Sequence, residues 1–278
     1  SVSRAAGAHG VAQPSASSRL KHLERQLGMT LLERSPSGSV PTDAGVVVDG
    51  WAEAILRSAH ELKAGLQAFQ AEQSGRLRIA ASFTIAEYLL PQWLGRFARA
   101  HPGDSVALEV ANSTSVIERL RDGGADLGFI ETTSSLPDLE EQLVGTDELI
   151  AVVGPTHPWA KRRTVPVEAL AATPLVTREA GSGTREALED ALAALDLGPP
   201  TAVLELGSTS AVRSAVLDAN SPTVISRLAV AAELETGSLV EIEVKDLAIT
   251  RSLRAVWPHR QPLPPLAAQL LDSLGLSA

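Results

Sequence analysis

The chain has 278 residues, 44% of them hydrophobic and 21% charged, and it contains no cysteine. These proportions are typical of a globular protein with more than one folding unit and exclude a disordered chain. The lack of cysteine excludes disulfides, Cys–zinc sites and thiol chemistry. No apolar run reaches the roughly 18 residues of a membrane span and no signal-peptide pattern is evident, so we predict a cytoplasmic protein without a membrane partner.

The net charge of −9 is unevenly distributed along the chain. Residues 1–45 carry five basic and three acidic side chains, a net charge of +2, whereas the acidic excess lies in the C-terminal part. A mildly basic N-terminal segment is compatible with nucleic-acid binding but supports it only weakly. Evidence for a DNA-binding function must therefore come from the order of the residues.

The first 45 residues predict short helices followed by a hairpin. A helix is predicted over Ser3–His9, and a second runs from Gln13 to Leu27, with Pro14 in its first turn and Gly28 just past its end. Its apolar residues recur at helical spacing and predict one buried stripe, formed by Ala16, Leu20, Leu23 and Leu27. The turn residues at 35–38 predict a β-hairpin between Leu31–Arg34 and Val40–Thr42.

From about Asp43 the pattern becomes that of a long helix. Apolar residues recur at alternating steps of three and four, which is the heptad seam of a coiled coil, at Ala52, Ile55, Ala59, Leu62, Leu66 and Phe69. A helix that packs on its own domain would show the same seam. Because the remaining positions are polar, we favour a helix–helix contact between two copies of the chain.

The remainder of the chain alternates strands with helices. This rhythm predicts parallel sheets of the α/β class, and its length fits two small lobes better than one large sheet. The predicted strands are Leu77–Ala81, Val106–Ala111, Asp126–Glu131, Leu149–Gly154, Leu175–Thr177, Ala202–Leu206, Thr223–Ser226 and Leu253–Trp257.

Several segments together resemble the LysR-type transcription regulators. The segments Ser1–Ala6, Gln13–Glu24, Leu31–Arg34 and Pro41–Gly45 are similar to the family's DNA-binding region. Leu89-Leu90-Pro91, His101-Pro102, Asp126-Leu127-Gly128 and Gly237-Ser238-Leu239 are similar to its effector domain. Gly181-Ser182-Gly183-Thr184-Arg185 resembles the branch that includes regulators of carbon fixation and of sulfur or cysteine metabolism.

The resemblance implies a winged helix-turn-helix, a linker helix and a two-lobed effector domain of the periplasmic-binding-protein type. We expect the DNA-binding domain at 1–45 and the coiled-coil linker at 46–75. The first lobe would comprise 76–158 and 255–278, and the second 159–254, with crossovers near 154–159 and 254–259. The family's DNA-binding region starts with a helix before Ser1, so we expect this domain to lack one wall of its core.

The resemblance also assigns double-stranded DNA as a partner. A helix with short polar and basic side chains fits the major groove, where base edges show a distinct pattern of donors and acceptors. The hairpin at 35–39 would contact the DNA backbone or the minor groove. The implied contact residues are Gln13, Pro14, Ser15, Ser17, Ser18, Lys21 and Arg34. The family further implies a homodimer through the linker helix, and a homotetramer as the next assembly.

Four hydroxyl-rich loops, each just before a predicted helix, predict an effector site. Each loop alone is explained as a helix cap. Together, at the carboxyl ends of strands, they lie where α/β folds bind ligands, and helix N-termini favour anions. We therefore expect a small carboxylate, phosphate or sulfur oxyanion, with Arg185 as a source of positive charge, although Glu131 opposes an anion. The predicted effector residues are Ser82, Thr84, Ser113, Ser115, Thr132, Ser182, Gly183, Thr184, Ser208 and Ser210.

The sequence also bears on two other classes of protein. An enzyme is disfavoured because the sequence lacks His-Glu-x-x-His, phosphate-loop and Gly-x-Ser-x-Gly motifs, and its six histidines have no ligand spacing. No cofactor or metal is therefore predicted. A stand-alone solute-binding protein would share the two-lobed domain. The motif of residues 1–45 distinguishes the regulator from that alternative.

Overall fold

The computed structural model describes residues 2–8, 10–35, 38–74, 76–259 and 262–276, with side chains described throughout except at 3–4, 8, 34–35, 38, 60–61 and 63–74. Contacts divide the chain into two compact units, Ser1–His60 and Glu61–Ala278. The long helix α3, Asp43–Ser74, contains the boundary.

The first unit contains the predicted helices and hairpin. Helix α1 spans Val2–Ala8 and helix α2 spans Gln13–Leu27. Strands β1, Leu32–Ser35, and β2, Gly38–Pro41, pair antiparallel. Helix α2 has a proline in its first turn and ends at Gly28 with a positive φ of 69°, as its sequence predicts.

The apolar stripe predicted on α2 is not buried, so this expectation was wrong. Leu23 and Leu27 are 40% and 41% exposed, and no residue of α2 is fully buried. Ala6 and Leu31 are the buried apolar side chains that the structure describes in this unit. Helical spacing shows that a face is apolar, but burial requires something to cover it, and no described residue covers this one.

Within the described ranges, the second unit contains ten strands and most of the helices. Its strands are β3 Arg76–Ser82, β4 Ser105–Ala111, β5 Leu127–Ile130, β6 Leu139–Val153, β7 Thr164–Pro166, β8 Leu175–Arg178, β9 Ala202–Leu206, β10 Thr223–Ser226, β11 Val240–Lys245 and β12 Ile249–Pro258. Its helices are α4 Phe83–Tyr88, α5 Leu90–Ala100, α6 Ser113–Arg121, α7 Pro158–Arg162, α8 Val167–Ala172, α9 Gly183–Ala193, α10 Thr209–Ala219, α11 Ala231–Thr236 and α12 Pro265–Ser273, with a 3₁₀ turn at Arg227–Val230.

The main sheet has the strand order β4-β3-β5-β12-β6-β11-β7, and β10 also pairs with β6. Strands β8 and β9 form a separate parallel pair. The β3–β4 and β3–β5 pairs are parallel as predicted, but β12 is antiparallel to both β5 and β6. The predicted parallel pairing therefore fails at β12, because β6 carries the chain towards the second lobe and β12 returns in the opposite direction.

The two lobes have separate cores that share β6 and β12. Leu77, Phe97 and Leu270 belong to the core of the first lobe, and Leu170 and Leu192 to that of the second. The 139–143 part of β6 pairs with the end of β12, whereas its 149–153 part pairs with β10 and β11. The chain thus passes between the lobes near 145–148, earlier than the predicted crossover at 154–159.

Candidate DNA-binding and effector sites

The predicted DNA-contact residues lie on one helix and are accessible. Gln13, Pro14, Ser15, Ser18 and Lys21 of α2 are exposed, while Ser17 is partly buried. An open depression of about 740 Å³ adjoins this face, lined by Pro14, Ser17, Ser18, Lys21, Glu24, Arg25, Gly28, Met29 and Thr30. The side chains that could touch base edges therefore project from a single rigid element.

Internal hydrogen bonds fix the hairpin against this helix. Glu24 Oε1 accepts hydrogen bonds from the backbone N–H groups of Leu31, at 2.9 Å, and Leu32, at 3.3 Å. Gly45 lies so close to Leu31 that a Cβ there would be 2.1 Å from its carbonyl oxygen. The backbone of Arg34 pairs with Ser39. The Arg34 side chain and the hairpin residues Pro36 and Ser37 lie outside the described residues.

The four hydroxyl-rich loops follow the strands as predicted. Ser82 ends β3, 112–115 follows β4, 181–184 follows β8 and 208–210 follows β9. Ser82, Ser113, Ser182 and Thr184 are buried. The hydroxyl oxygen of Ser82 has no hydrogen-bond partner among the described residues.

A buried arginine, Arg251 of β12, joins hydroxyls of both lobes. Its guanidinium donates to Thr84 Oγ1 of α4 and to Thr184 Oγ1 of α9, each at 3.0 Å. It also donates through Nε and Nη2 to Asp147 Oδ2 of β6, at 2.9 and 2.7 Å. Ser226 Oγ donates to the other oxygen of Asp147 at 2.8 Å. The Arg251 side chain is 1% exposed, so its charge is compensated almost entirely by protein groups.

Glu131 lies beside this arginine. Its Oε2 is 3.6 Å from Arg251 Nη1, and its Oε1 accepts a hydrogen bond from the backbone N–H of Ile85 at 3.2 Å. The backbone N–H of Glu131 donates to Ser113 Oγ. A Cβ on Gly183 would lie 2.4 Å from the Glu131 carbonyl oxygen and 3.1 Å from Ser113 Oγ. Glycine is therefore required here for the two lobes to approach.

A second buried arginine, Arg178, ends β8. It donates to Thr209 Oγ1 at 3.0 Å, and its guanidinium lies 4.6 Å from the centroid of the Phe83 ring. It also forms an ion pair with Glu179, which accepts a hydrogen bond from Asn112 Nδ2. Burial would raise the pKa of Glu179, but the hydrogen bond and charge of Arg178 lower it below its usual value. Contacts thus link the Arg178 side of the second lobe to Phe83 and Asn112 of the first.

Thr132 lies at another contact between the lobes. Its hydroxyl donates to Glu186 of α9, which also accepts a hydrogen bond from Ser134 Oγ at 2.6 Å. The neighbouring Thr133 donates to Asp190 Oδ2 at 2.6 Å. These hydroxyls are bound to carboxylates of the second lobe and not to the Arg251 cluster.

The remaining predicted residues act locally. Ser208 caps α10 by accepting from the backbone N–H of Ala211, and its oxygen lies 3.3 Å from that of Ser210. The backbone N–H of Ser115 donates to the capping Asn112. Arg185 is held by Glu189 and Glu205 and forms no described ion pair in the Arg251 cluster.

Sequence reasoning missed Arg251, Asp147 and Arg178. A signal for Arg251 existed, because burial alternates along β12 and Arg251 occupies an inward position between Ile249 and Leu253. A charged residue at a core-facing position of a strand requires a buried partner. The partner Asp147 is 104 positions away, so only the fold identifies it.

The described residues contain no group of three or more His, Cys, Asp or Glu side chains placed to hold a metal ion. No helix within the described ranges is both long enough and apolar enough to cross a membrane.

Comparison with known proteins gives the family. Residues 1–46 match the bacterial regulatory helix-turn-helix protein, lysR family, and residues 70–276 match the LysR substrate binding domain. The chain is 42% identical to an HTH-type transcriptional regulator of Mycobacterium bovis, over 92% of this chain and 85% of the relative. The CcmR regulatory domain of Synechocystis, solved in complex with 2-PG, aligns with a TM-score of 0.65 and 27% identity, covering 72% of this chain and 95% of that one.

Full-length OxyR from Pseudomonas aeruginosa has the same fold, with a TM-score of 0.62 at 24% identity, covering 99% of this chain and 94% of that one. The two family models together account for nearly the whole sequence. The chain therefore belongs to the LysR-type transcriptional regulators, with a helix-turn-helix domain and a two-lobed effector-binding domain.

Proposed function

We propose that the protein is an effector-responsive DNA-binding regulator in which a small anionic metabolite, bound between the lobes, alters promoter binding. The observation that carries this proposal is the Arg251 cluster. It gathers hydroxyls of Thr84 from the first lobe and Thr184 from the second around one buried guanidinium. A ligand that contacts these hydroxyls would contact both lobes at once.

The chemistry of the cluster supports an anion. Helix α9 spans 11 residues and starts at Gly183, so its first N–H groups and its dipole favour negative charge beside Thr184. Ser82 adds a buried hydroxyl that has no hydrogen-bond partner in the described part of the chain. The sequence suggested that the charge of Glu131 disfavours an anion. In the structure Glu131 accepts a hydrogen bond from the Ile85 N–H and faces Arg251. The CcmR regulatory domain in complex with 2-PG supports a small ligand in this domain.

DNA binding is assigned to the exposed face of α2. Gln13 would be bidentate to adenine, while Ser15, Ser17 and Ser18 would reach phosphates or bases and Lys21 a phosphate. Arg34 would hold the DNA backbone or the minor groove. The family membership of residues 1–46 and the exposure of this face support the assignment.

Helix α3 would supply the dimer contact. Ile55 and Leu62 of its predicted seam are 70% and 67% exposed, which is unusual for large aliphatic side chains of a helix. Leu66 and Phe69 of the same seam lie outside the described side chains. Residues 46–75 are accordingly proposed as a coiled-coil linker that forms a homodimer, which can pair further into a tetramer.

Effector and DNA would be coupled through this linker. A ligand shifts a conformational equilibrium only by the difference between its affinities for the two states. A metabolite that favours one arrangement of the lobes would therefore change the spacing of the two DNA-binding domains in the dimer.

A thermal-shift screen of the full chain against carboxylates, phosphates and sulfur oxyanions tests the proposal. A true effector is expected to raise the Tm, and Thr184→Ala or Ser182→Ala should abolish that rise. Thr250→Ala, an exposed threonine beside Arg251, is the matched control and should keep it. A full Tm rise in Thr184→Ala and Ser182→Ala would contradict the placement of the site.

A stand-alone solute-binding protein is the alternative function. It would bind the same ligand, but the full chain would select no duplex from a random-sequence DNA pool. The helix-turn-helix match over residues 1–46 favours the regulator.

A further inference from the structure

We propose that Arg251 is a positioning residue that makes the effector site select fully deprotonated oxyanions over oxyanions that carry a proton. This inference rests on the proposed function and adds the protonation state of the ligand. It follows from the direction of the hydrogen bonds around the buried guanidinium.

A guanidinium only donates hydrogen bonds, whereas a hydroxyl has one proton to donate and lone pairs that accept. Thr84 and Thr184 must therefore accept from Arg251, and Thr209 must accept from Arg178. All three threonines are buried. Each keeps an O–H proton for which no acceptor lies within hydrogen-bonding distance among the described residues.

Ser113 repeats the pattern with a backbone donor. Its oxygen accepts from the N–H of Glu131, so its own proton is likewise without a described acceptor. Ser113 follows β4 and approaches Gly183 at the start of α9. The buried donors thus come from both lobes, and each is oriented by a group that can only donate to it.

A buried donor without an acceptor is destabilising, so these protons favour a ligand that supplies acceptors. Sulfate and carboxylate oxygens supply acceptors alone. A protonated oxyanion would direct its own O–H at a hydroxyl whose proton is the one that should point at the ligand. To accept that O–H through its second lone pair, the hydroxyl would have to turn its own proton away from the ligand and leave it without an acceptor.

Two charged groups face Arg251, Asp147 of β6 and Glu131 after β5. Asp147 holds the guanidinium through two hydrogen bonds and is itself fixed by Ser226. Glu131 is the acceptor that could receive a ligand proton instead. The experiment must therefore separate protonation of the ligand from titration of the site.

Inorganic sulfate and inorganic phosphate are the probes, titrated calorimetrically into the full chain between pH 6 and pH 8. Sulfate carries no proton in this range, so it reports any titration of the site itself. Phosphate carries one proton at pH 8 and gains a second as the pH falls, so sulfate should bind more tightly than phosphate over the whole range. We expect the ratio of sulfate to phosphate affinity to rise about tenfold from pH 8 to pH 6.

The double variant Arg251→Gln/Asp147→Asn tests the positioning role without leaving the Asp147 carboxylate as a buried charge without its partner, and Glu131 keeps its hydrogen bond from the Ile85 N–H. An amide both donates and accepts, so the hydroxyls are no longer fixed as donors and the rise in the ratio should disappear. Thr184→Ser keeps the hydroxyl and should keep the rise. Thr184→Val keeps the size of the side chain without the hydroxyl and should lose most of the sulfate affinity.

The outcomes separate this inference from the proposed function. If the wild type binds both ions with a ratio of affinities that does not change with pH, Arg251 has no such role, although the effector site remains. The same conclusion follows if the rise in the ratio persists in the folded double variant. Phosphate binding that tightens as the pH falls would make Glu131 the acceptor of the ligand proton and would also overturn the proposed role of Arg251. Binding of neither ion would remove the anion site itself, and this inference with it.

Discussion

The two units of the chain differ in what surrounds their apolar side chains. In the second unit, each lobe has an apolar core, and even the charged side chains of Arg251 and Asp147 are buried. In the first unit and along α3, Leu23, Ile55 and Leu62 are largely exposed among the described residues. The comparison indicates that the effector domain carries its own packing partners, while the DNA-binding segment leaves apolar side chains exposed, which the proposed DNA and dimer contacts would cover.

The largest expected effect is in the buried cluster. Asp147→Ala leaves Arg251 as a buried charge without its main partner, which costs about 3–5 kcal/mol of unfolding free energy. Urea unfolding of the full chain measures the loss. The neighbouring Glu148, paired with Arg227 at the surface, is the control, and Glu148→Ala should cost less than about 1 kcal/mol. Equal losses would show that the second unit does not depend on its buried cluster.

The next effect concerns the exposed seam of α3. Ile55→Asp should weaken self-association by at least about tenfold, because a charge would enter a contact that buries an aliphatic side chain. Sedimentation velocity over a concentration series measures the dimer. Arg57→Ala, off the seam on the same helix, should associate like wild type. A dimer unaffected by Ile55→Asp would mean that this face is simply a solvated one.

A smaller effect is expected on the DNA-binding face. Gln13→Ala should cost about 1–3 kcal/mol of binding to a duplex selected by the wild type from random DNA, since a bidentate base contact is lost. Gln26→Ala, at the other end of α2, is the matched control and should bind normally. The free energy of unfolding of both variants should stay within about 0.5 kcal/mol of the wild-type value, because both positions are exposed. Identical footprints would refute the recognition-helix assignment.

The smallest expected effect is a pH dependence in the second unit. Burial lowers the pKa of His157 below 6.5, and its neutral Nδ1 accepts a hydrogen bond from the Trp159 N–H at the start of α7. This contribution to stability is complete above pH 6.5 and is lost as the pH falls through the lowered pKa. His157→Asn caps the helix without titrating, so its Tm should fall less than that of wild type between pH 7 and pH 5. Parallel Tm curves would exclude His157 as the source.

Local patterns predicted most of the elements. The α2 helix, the hairpin and the strands at β3, β4, β8 and β9 follow from periodicity and turn residues, and these fix the positions of the hydroxyl loops. The sequence does not predict the 139–148 part of β6 as a strand, because this segment is mostly polar and has few apolar residues to show an alternating pattern. The return of β12 beside β6 depends on pairing across more than 100 positions, which no local window contains.

The effector site was only partly predictable for the same reason. Ser82, Ser113 and Thr184 could be identified because hydroxyls at helix starts form a recognisable local pattern. Arg251 and Asp147 belong to strands that meet only after both lobes have formed. Arg185, which the sequence favoured, pairs with Glu189 one helical turn away, a competing partner that its spacing made available.

Strands β6 and β12 have a consequence for protein engineering. Each contributes residues to both cores, and the pair carries a register shift at Leu253/Arg254 between the two halves. A chimera that exchanges one lobe with a relative must therefore cut two strands and re-match their register. The whole domain from β3 to α12, with its Asp147–Arg251 pair intact, is the smallest module in which a new ligand specificity can be transplanted.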